Sequence, residues 1–237
     1  MSYYKIISEL KNLANPTKAK LLSGFFKTGK NQYGEGDKFI GITVPEQRKI
    51  AKKYYEKISF GDLQKILENK IHEYRLTALI ILCYKYEKTK DENLKKEIYN
   101  FYIKNLQFVN NWDLVDVTTP NIVGNYLFYN QNKKNIIYKL VKSKNLWERR
   151  VAILATFKFI REKQFEDSLK ISEILLFDNH DLIHKAVGWM LREIGKRDTK
   201  VLIKFLNQHT TKMPRTMLRY AIEKFPEEIR KNYLNKK

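Results

Sequence analysis

The chain has 237 residues, 43% of them hydrophobic, which allows one large domain with a substantial core and lies well outside a disordered composition. Only nine glycines and five prolines punctuate it, which argues against an all-β protein built on many tight turns. Forty-six Lys and Arg against 26 Asp and Glu leave a formal charge of +20; the single cysteine excludes an internal disulfide, and no apolar run approaches the ~18 residues of a membrane span.

Taken in chain order, most segments carry apolar residues at spacings of three and four, the signature of helix. Met1 to Leu10 contains Lys5 and Glu9 and lacks the apolar core of a signal peptide, so the protein is expected in the cytoplasm. Lys27–Ile42 differs: it holds Gly29, Gly34, Gly36 and Gly41 and reads as a loop, but its spacing matches neither GxGxxG nor GxxxxGK[ST]. Pro45 stands in the first turn of a helix over Glu46–Lys57. Cys83, inside an apolar run, is expected to be a small buried hydrophobe. Asp91 and Asp181 occupy N-cap-like positions, and Pro214 and Pro226 open the last two short helices.

An internal repeat runs through this helical pattern. EYRLTALIIL (73–82), ERRVAILATF (148–157) and HKAVGWMLRE (184–193) each pair a basic residue with a small one three positions later: Arg75 with Ala78, Arg149 with Ala152, Lys185 with Gly188. Arg75 to Arg149 is 74 residues, twice 37, and Arg149 to Lys185 is 36; Trp112 falls halfway between the first two. A period near 37 lies between the two common classes of helical repeat, about 34 and about 40–47 residues. Stacked helix pairs of this kind form a curved superhelix with a concave face, and no linker interrupts residues 1–237, so a single domain is expected.

The charge excess opposes compaction and calls for a polyanionic partner, or else reflects a Lys-rich proteome. Trp112 and Asp116 are four apart and share a helix face, where indole and carboxylate side by side are unusual. Arg149 and Arg150 offer planar forks suited to phosphate, Lys185 adds a third cation, and Trp189 lies on the corresponding helix of another repeat. Aromatic and basic residues converging on one face are a nucleic-acid footprint. Trp147 is expected in the core. His180 and His184 are four apart but have no third ligand, so they are expected to be exposed or to cap helices; no metal and no organic cofactor is expected.

The motifs NNWDLVD, LWERRVAIL and KAVGWMLRE, in this order and at repeat spacing, together with the YGEGDKFIGI loop, resemble the AlkD-type DNA alkylation repair glycosylases over roughly Leu21 to Lys224. The resemblance implies an all-α, right-handed solenoid of HEAT-like repeats with a concave basic face. It implies an enzyme that excises positively charged N-alkylpurines, mainly 3-methyladenine and 7-methylguanine, from double-stranded DNA and engages the lesion through backbone and sugar; a solenoid with a single binding face suggests a monomer. Carried over by motif, its WxxxD pair falls on Trp112 and Asp116, its arginine on Arg150 and its second tryptophan on Trp189. An N-terminal aromatic that contacts DNA falls on Phe25 or Phe26, phenylalanine where the family pattern has tyrosine. Asp116 would then stabilise an oxocarbenium-like sugar and position water. No lysine is singled out as a Schiff-base nucleophile, so a monofunctional glycosylase is expected. The alternatives are a non-catalytic helical module that binds DNA or RNA backbone, and a scaffold for an acidic protein.

Overall fold

A computed structural model describes residues 2–235. Among them the secondary structure is helical, apart from one isolated parallel bridge between Lys38 and Ile71. The all-helical architecture expected from the periodicity is therefore observed. Two compact units divide the chain, Met1–Ile122 and Val123–Lys237, and the boundary falls inside a π-helical stretch, Pro120–Gly124.

The first unit contains α1 (Ser2–Asn12), α2 (Pro16–Phe25), α3 (Val44–Tyr54), α4 (Phe60–Leu67), α5 (His72–Lys88), α6 (Glu92–Lys104) and α7 (Trp112–Thr119). Its centre is α5, which packs against α3, α4, α6 and α7. Neighbours on several sides leave no face for water, and every residue from His72 to Leu82 is buried. That is why EYRLTALIIL lacks the polar stripe of a surface helix. The predicted N-cap at Asp91 is present: its carboxylate accepts from the Asn93 N–H at 2.9 Å. Helix α3 begins at Val44 with proline in its first turn, and Thr43 and Glu46 form a capping box.

The second unit contains α8 (Asn125–Tyr129), α9 (Asn135–Leu140), α10 (Leu146–Arg161), α11 (Glu166–Ile174), α12 (Asp181–Gly195), α13 (Thr199–His209), α14 (Arg215–Ala221) and α15 (Glu227–Asn235). Here α10 contacts α8, α9, α11 and α12, while α12 contacts α11, α13 and α14. Residues Arg150–Thr156 are buried without a break, the counterpart of the buried run in α5. Trp147 lies in the core at 8% exposure, as expected. In α12, a β-carbon on Gly188 would lie 2.5 Å from the Met217 carbonyl oxygen, so α14 approaches closely because position 188 carries no side chain. The N-cap of α12 is His180 rather than Asp181; its ring Nδ1 accepts from the Leu182 N–H at 3.1 Å. Asp181 instead stands in the first turn and pairs with Lys185.

The repeat has a bonding counterpart. Arg75 donates to the carbonyl of Asn69, six residues upstream, and to Asp37 Oδ1 at 2.6 Å. Arg149 donates to the carbonyl of Ser143, also six upstream, and to Asp178 Oδ2 at 2.6 Å. In the third repeat the carbonyl six upstream, that of Asp178, is met by His184 and not by Lys185. The structural register is thus one residue earlier than charge matching gives. The repeated feature is a donor that ties a helix to the turn before it, and histidine fills that role as well as arginine.

Candidate active site

Helix α7 is fixed at both ends. Asn111 caps its first turn, its Oδ1 accepting from the Trp112 N–H at 2.8 Å, and Asp113 Oδ1 accepts from the Leu114 N–H at 2.9 Å. At the other end the buried Tyr102 hydroxyl lies 2.9 Å from both Thr118 Oγ1 and Thr119 Oγ1. Asp113, Leu114, Val115, Thr118 and Thr119 are buried, whereas Trp112, Asp116 and Val117 are half-buried. The four-residue spacing therefore sets Trp112 and Asp116 on the more open side of a firmly held helix.

The indole of Trp112 stacks on Phe26, with centroids 5.1 Å apart and planes 14° apart, and meets Phe25 edge-on at 5.9 Å. Phe26 is buried, whereas Phe25 is 64% exposed. Of the two expected aromatics, Phe25 presents its ring to solvent and Phe26 supports Trp112 from behind. Tyr33, from the glycine-containing loop, donates its hydroxyl to the Phe25 carbonyl at 3.4 Å.

Beneath this surface lies a buried polar cluster that periodicity could not show. His72 Nδ1 is 3.0 Å from Asp37 Oδ2, and its Nε2 is 2.8 Å from Asp113 Oδ2. Asp37 also accepts from Arg75 and from Asn111 Nδ2. Burial works to lower the imidazole pKa, but the charge of Asp113 and hydrogen bonds to both carboxylates outweigh it and hold His72 at about 9. For Asp37 burial works upward, yet His72, Arg75 and Asn111 hold its carboxyl below the usual aspartate value. Signals for this cluster were present: His72 lies three residues before the repeat arginine, Asp37 sits in the odd loop, and Asp113 stands between Trp112 and Asp116.

The same loop is seated by Glu73. Its buried carboxylate accepts from the N–H groups of Ile40, Gly41 and Ile42, the shortest at 2.7 Å. Gly41 has φ +85°, and a β-carbon there would lie 2.1 Å from the Asn15 carbonyl oxygen. Gly41→Ala is expected to lower stability by about 2–4 kcal/mol, since backbone overlap adds to the cost of a positive φ; urea unfolding measures it. A midpoint unchanged from wild type would show that the loop relaxes freely. An apolar cavity of about 450 Å³ opens next to the loop, with Leu21, Phe25, Phe39 and Val44 in its wall. Its one lining side-chain amide, Gln47, donates through Nε2 to the Ile42 carbonyl, and its Oε1 lies 3.3 Å from Thr77 Oγ1, whose hydrogen goes to the Glu73 carbonyl at 2.7 Å.

A family model described as DNA alkylation repair enzyme matches residues 6–225. The chain belongs to the DNA alkylation repair enzyme family. Three solved structures share the fold of this repair-family member. One, a predicted DNA alkylation repair enzyme from Enterococcus faecalis, is 17% identical with a TM-score of 0.70, over 90% of this chain and 97% of that one. AlkD2 from Streptococcus mutans is 18% identical with a TM-score of 0.58, over 89% and 98%. The smu.31 protein of Streptococcus mutans UA159 is 19% identical with a TM-score of 0.57, over 78% and 93%. No curated protein matches the sequence.

In the second unit of this alkylation repair family member, the candidate residues divide. Arg149 spends its donors on Asp178 and on the carbonyls of Ser143 and Lys144. Arg150 is 4% exposed and donates to the Leu182 carbonyl in the first turn of α12. Lys185 pairs with Asp181 at 2.7 Å, with 40% of its side chain exposed. Trp189 is half-buried and lies 5.5 Å from Phe157, whose ring carries the Arg161 guanidinium at 4.3 Å. Phe157 and Arg161 were not singled out by sequence, although their spacing of four on α10 places them on one face. His180 and His184 each bond backbone, through the Leu182 N–H and the Asp178 carbonyl, in keeping with a capping role. Cys83 is a free thiol pushed up to about 12 by burial. No helix among the described residues is long and apolar enough to cross a membrane.

Proposed function

We propose that this protein is a monofunctional DNA glycosylase that hydrolyses the N-glycosidic bond of positively charged alkylpurines, 3-methyladenine and 7-methylguanine, in duplex DNA. The observation that supports this reading most is the pairing of Trp112 and Asp116 on the open side of α7, beside the exposed Phe25. Membership of a DNA alkylation repair family accords with a substrate that carries its alkyl group in DNA.

The residue types suit the reaction. Alkylation at N3 or N7 makes the purine a cation, so it departs as a neutral base when the glycosidic electron pair leaves with it. Positive charge then grows on the deoxyribose, and a carboxylate nearby stabilises it. Water bonds to C1′ and loses its proton to Asp116 or to solvent, which completes hydrolysis. The face of Trp112 attracts the cationic nucleotide. A phosphate binder with no chemistry to perform gains nothing from Asp116, because a carboxylate repels phosphate.

Incubating the protein with duplex DNA that contains 7-methylguanine is expected to release free base, and separation of the products measures it. No release of 7-methylguanine or 3-methyladenine by folded protein would overturn the enzyme reading and leave a helical module that binds nucleic-acid backbone. In the proposed complex Arg150, 4% exposed in the free protein, leaves the Leu182 carbonyl to hold a DNA phosphate. Arg150→Ala is then expected to flatten the log–log salt dependence of DNA binding by about 0.9, one phosphate contact. An unchanged slope would confine Arg150 to its bond with α12.

A further inference from the structure

We propose that His72 is a positioning residue for Trp112: by bridging Asp37 and Asp113, and by packing its ring against Phe39 and Phe26, it sets the orientation in which the indole meets the nucleotide. The inference rests on the proposed role of Trp112 in the glycosylase reading.

Two physical links lead from His72 to Trp112. The first is polar. His72 Nε2 lies 2.8 Å from Asp113 Oδ2, and Asp113 follows Trp112 directly in α7. His72 Nδ1 lies 3.0 Å from Asp37 Oδ2, and Asp37 accepts at 3.1 Å from Asn111, the residue before Trp112. The cluster thus grips α7 on both sides of the tryptophan. The second link is a column of rings. His72 stacks on Phe39 at 4.6 Å, Phe39 stacks on Phe26 at 4.9 Å, and Phe26 stacks on Trp112 at 5.1 Å. His72 also meets Phe26 directly at 5.0 Å.

The charge state follows from the geometry. Both ring nitrogens aim at carboxylate oxygens, which only accept hydrogen bonds, and a neutral imidazole has a single N–H. A neutral ring would turn a lone pair toward one of the two aspartates. With its proton, His72 joins Arg75 to balance Asp37 and Asp113, and the cluster carries no net charge. These are the charged groups that bond to His72 or to its partner Asp37 from the loop, α5 and α7. A well-packed apolar cluster would hold the fold as well or better, so an ionic one here points to geometry as the property being maintained. The elevated pKa of about 9 accords with the double hydrogen bond. Without this proton the ring keeps a single N–H, so one of the two aspartates loses its bond and the link from His72 to Trp112 slackens, while Asn111 and Tyr102 still hold the ends of α7.

Heteronuclear NMR of protein labelled with ¹⁵N at histidine and tryptophan tests the proposal directly. The His72 ring is expected to remain doubly protonated beyond pH 8, and the Trp112 indole N–H resonance is expected to move with the midpoint of its titration. In single-turnover base release, His72→Gln is expected to lower the rate at least about fivefold with DNA affinity within about twofold of wild type, and to lose the wild-type decline in rate toward pH 9. A Trp112 resonance indifferent to the His72 titration would overturn the proposal, as would a folded His72→Gln with the wild-type rate and pH profile. If His72→Gln does not fold, the titration of the wild-type protein decides alone. If the wild type releases no base, the glycosylase reading has failed, and the linked His72–Trp112 titration still shows whether His72 positions the indole.

Discussion

Asp116→Asn is expected to cut the rate of 7-methylguanine release by between about tenfold and about a thousandfold, with duplex binding unchanged or tighter. The upper figure follows from electrostatics: a unit charge pair at ~4 Å with an effective dielectric near 20 is worth about 4 kcal/mol, on the order of a thousandfold in rate. The lower figure allows for a half-buried carboxylate that water partly screens. Asparagine keeps the size and much of the hydrogen-bonding capacity of aspartate, so α7, held by Asn111 and Tyr102, is expected to keep its place. Binding is expected to hold or tighten because the variant removes a negative charge facing a polyanion. Single-turnover release with enzyme in excess isolates the chemical step. A variant that binds DNA and releases base within about threefold of wild type would remove Asp116 from the transition state.

Stability is expected to decline by about 2 kcal/mol between pH 6.5 and 8.5 through His72 alone. Folding raises the pKa of this imidazole from its ordinary 6.5 to about 9, so in this window the native state binds more protons than the unfolded chain. The stabilisation is complete below about 6.5, and it is lost as pH rises toward 9. Asp37 has the opposite sense: its lowered pKa gives stability that is present above the ordinary aspartate value and lost as acid is added. Above pH 9 the half-buried thiol of Cys83, held up near 12, adds a second loss because the unfolded chain ionises more easily. His180, whose pKa is lowered by burial, acts in the opposite sense near pH 6.5, so the comparison with His72→Gln isolates the His72 contribution. Urea unfolding at several pH values measures the slope, and His72→Gln is expected to flatten it. A wild-type stability that stays level from pH 6.5 to 8.5 would show that His72 does not carry the extra proton.

Local pattern alone determined that this protein is helical, that its helices repeat, and that Trp112 and Asp116 share a face. Unbroken burial calls for an apolar run, so the cores of α5 and α10 were legible in the sequence, and residues four apart must neighbour one another on any helix. The resemblance in NNWDLVD and its companion motifs was legible for the same reason, since each is short and contiguous, and the family match over residues 6–225 accords with it.

Only the tertiary structure decided what the charged residues do. Arg75, Arg149 and Lys185 matched as basic residues followed by a small one, whereas in the structure the donors to the carbonyl six residues upstream are Arg75, Arg149 and His184. Their aspartate partners lie 38 residues before Arg75 and 29 after Arg149, distances that leave no periodic trace. Sequence left Phe25 and Phe26 as alternatives, and the structure exposes the first while burying the second against Trp112. His72, Asp37 and Asp113 come together from α5, a loop and α7. A helical period specifies which way a side chain faces, whereas a hydrogen bond between distant segments depends on how the helices pack.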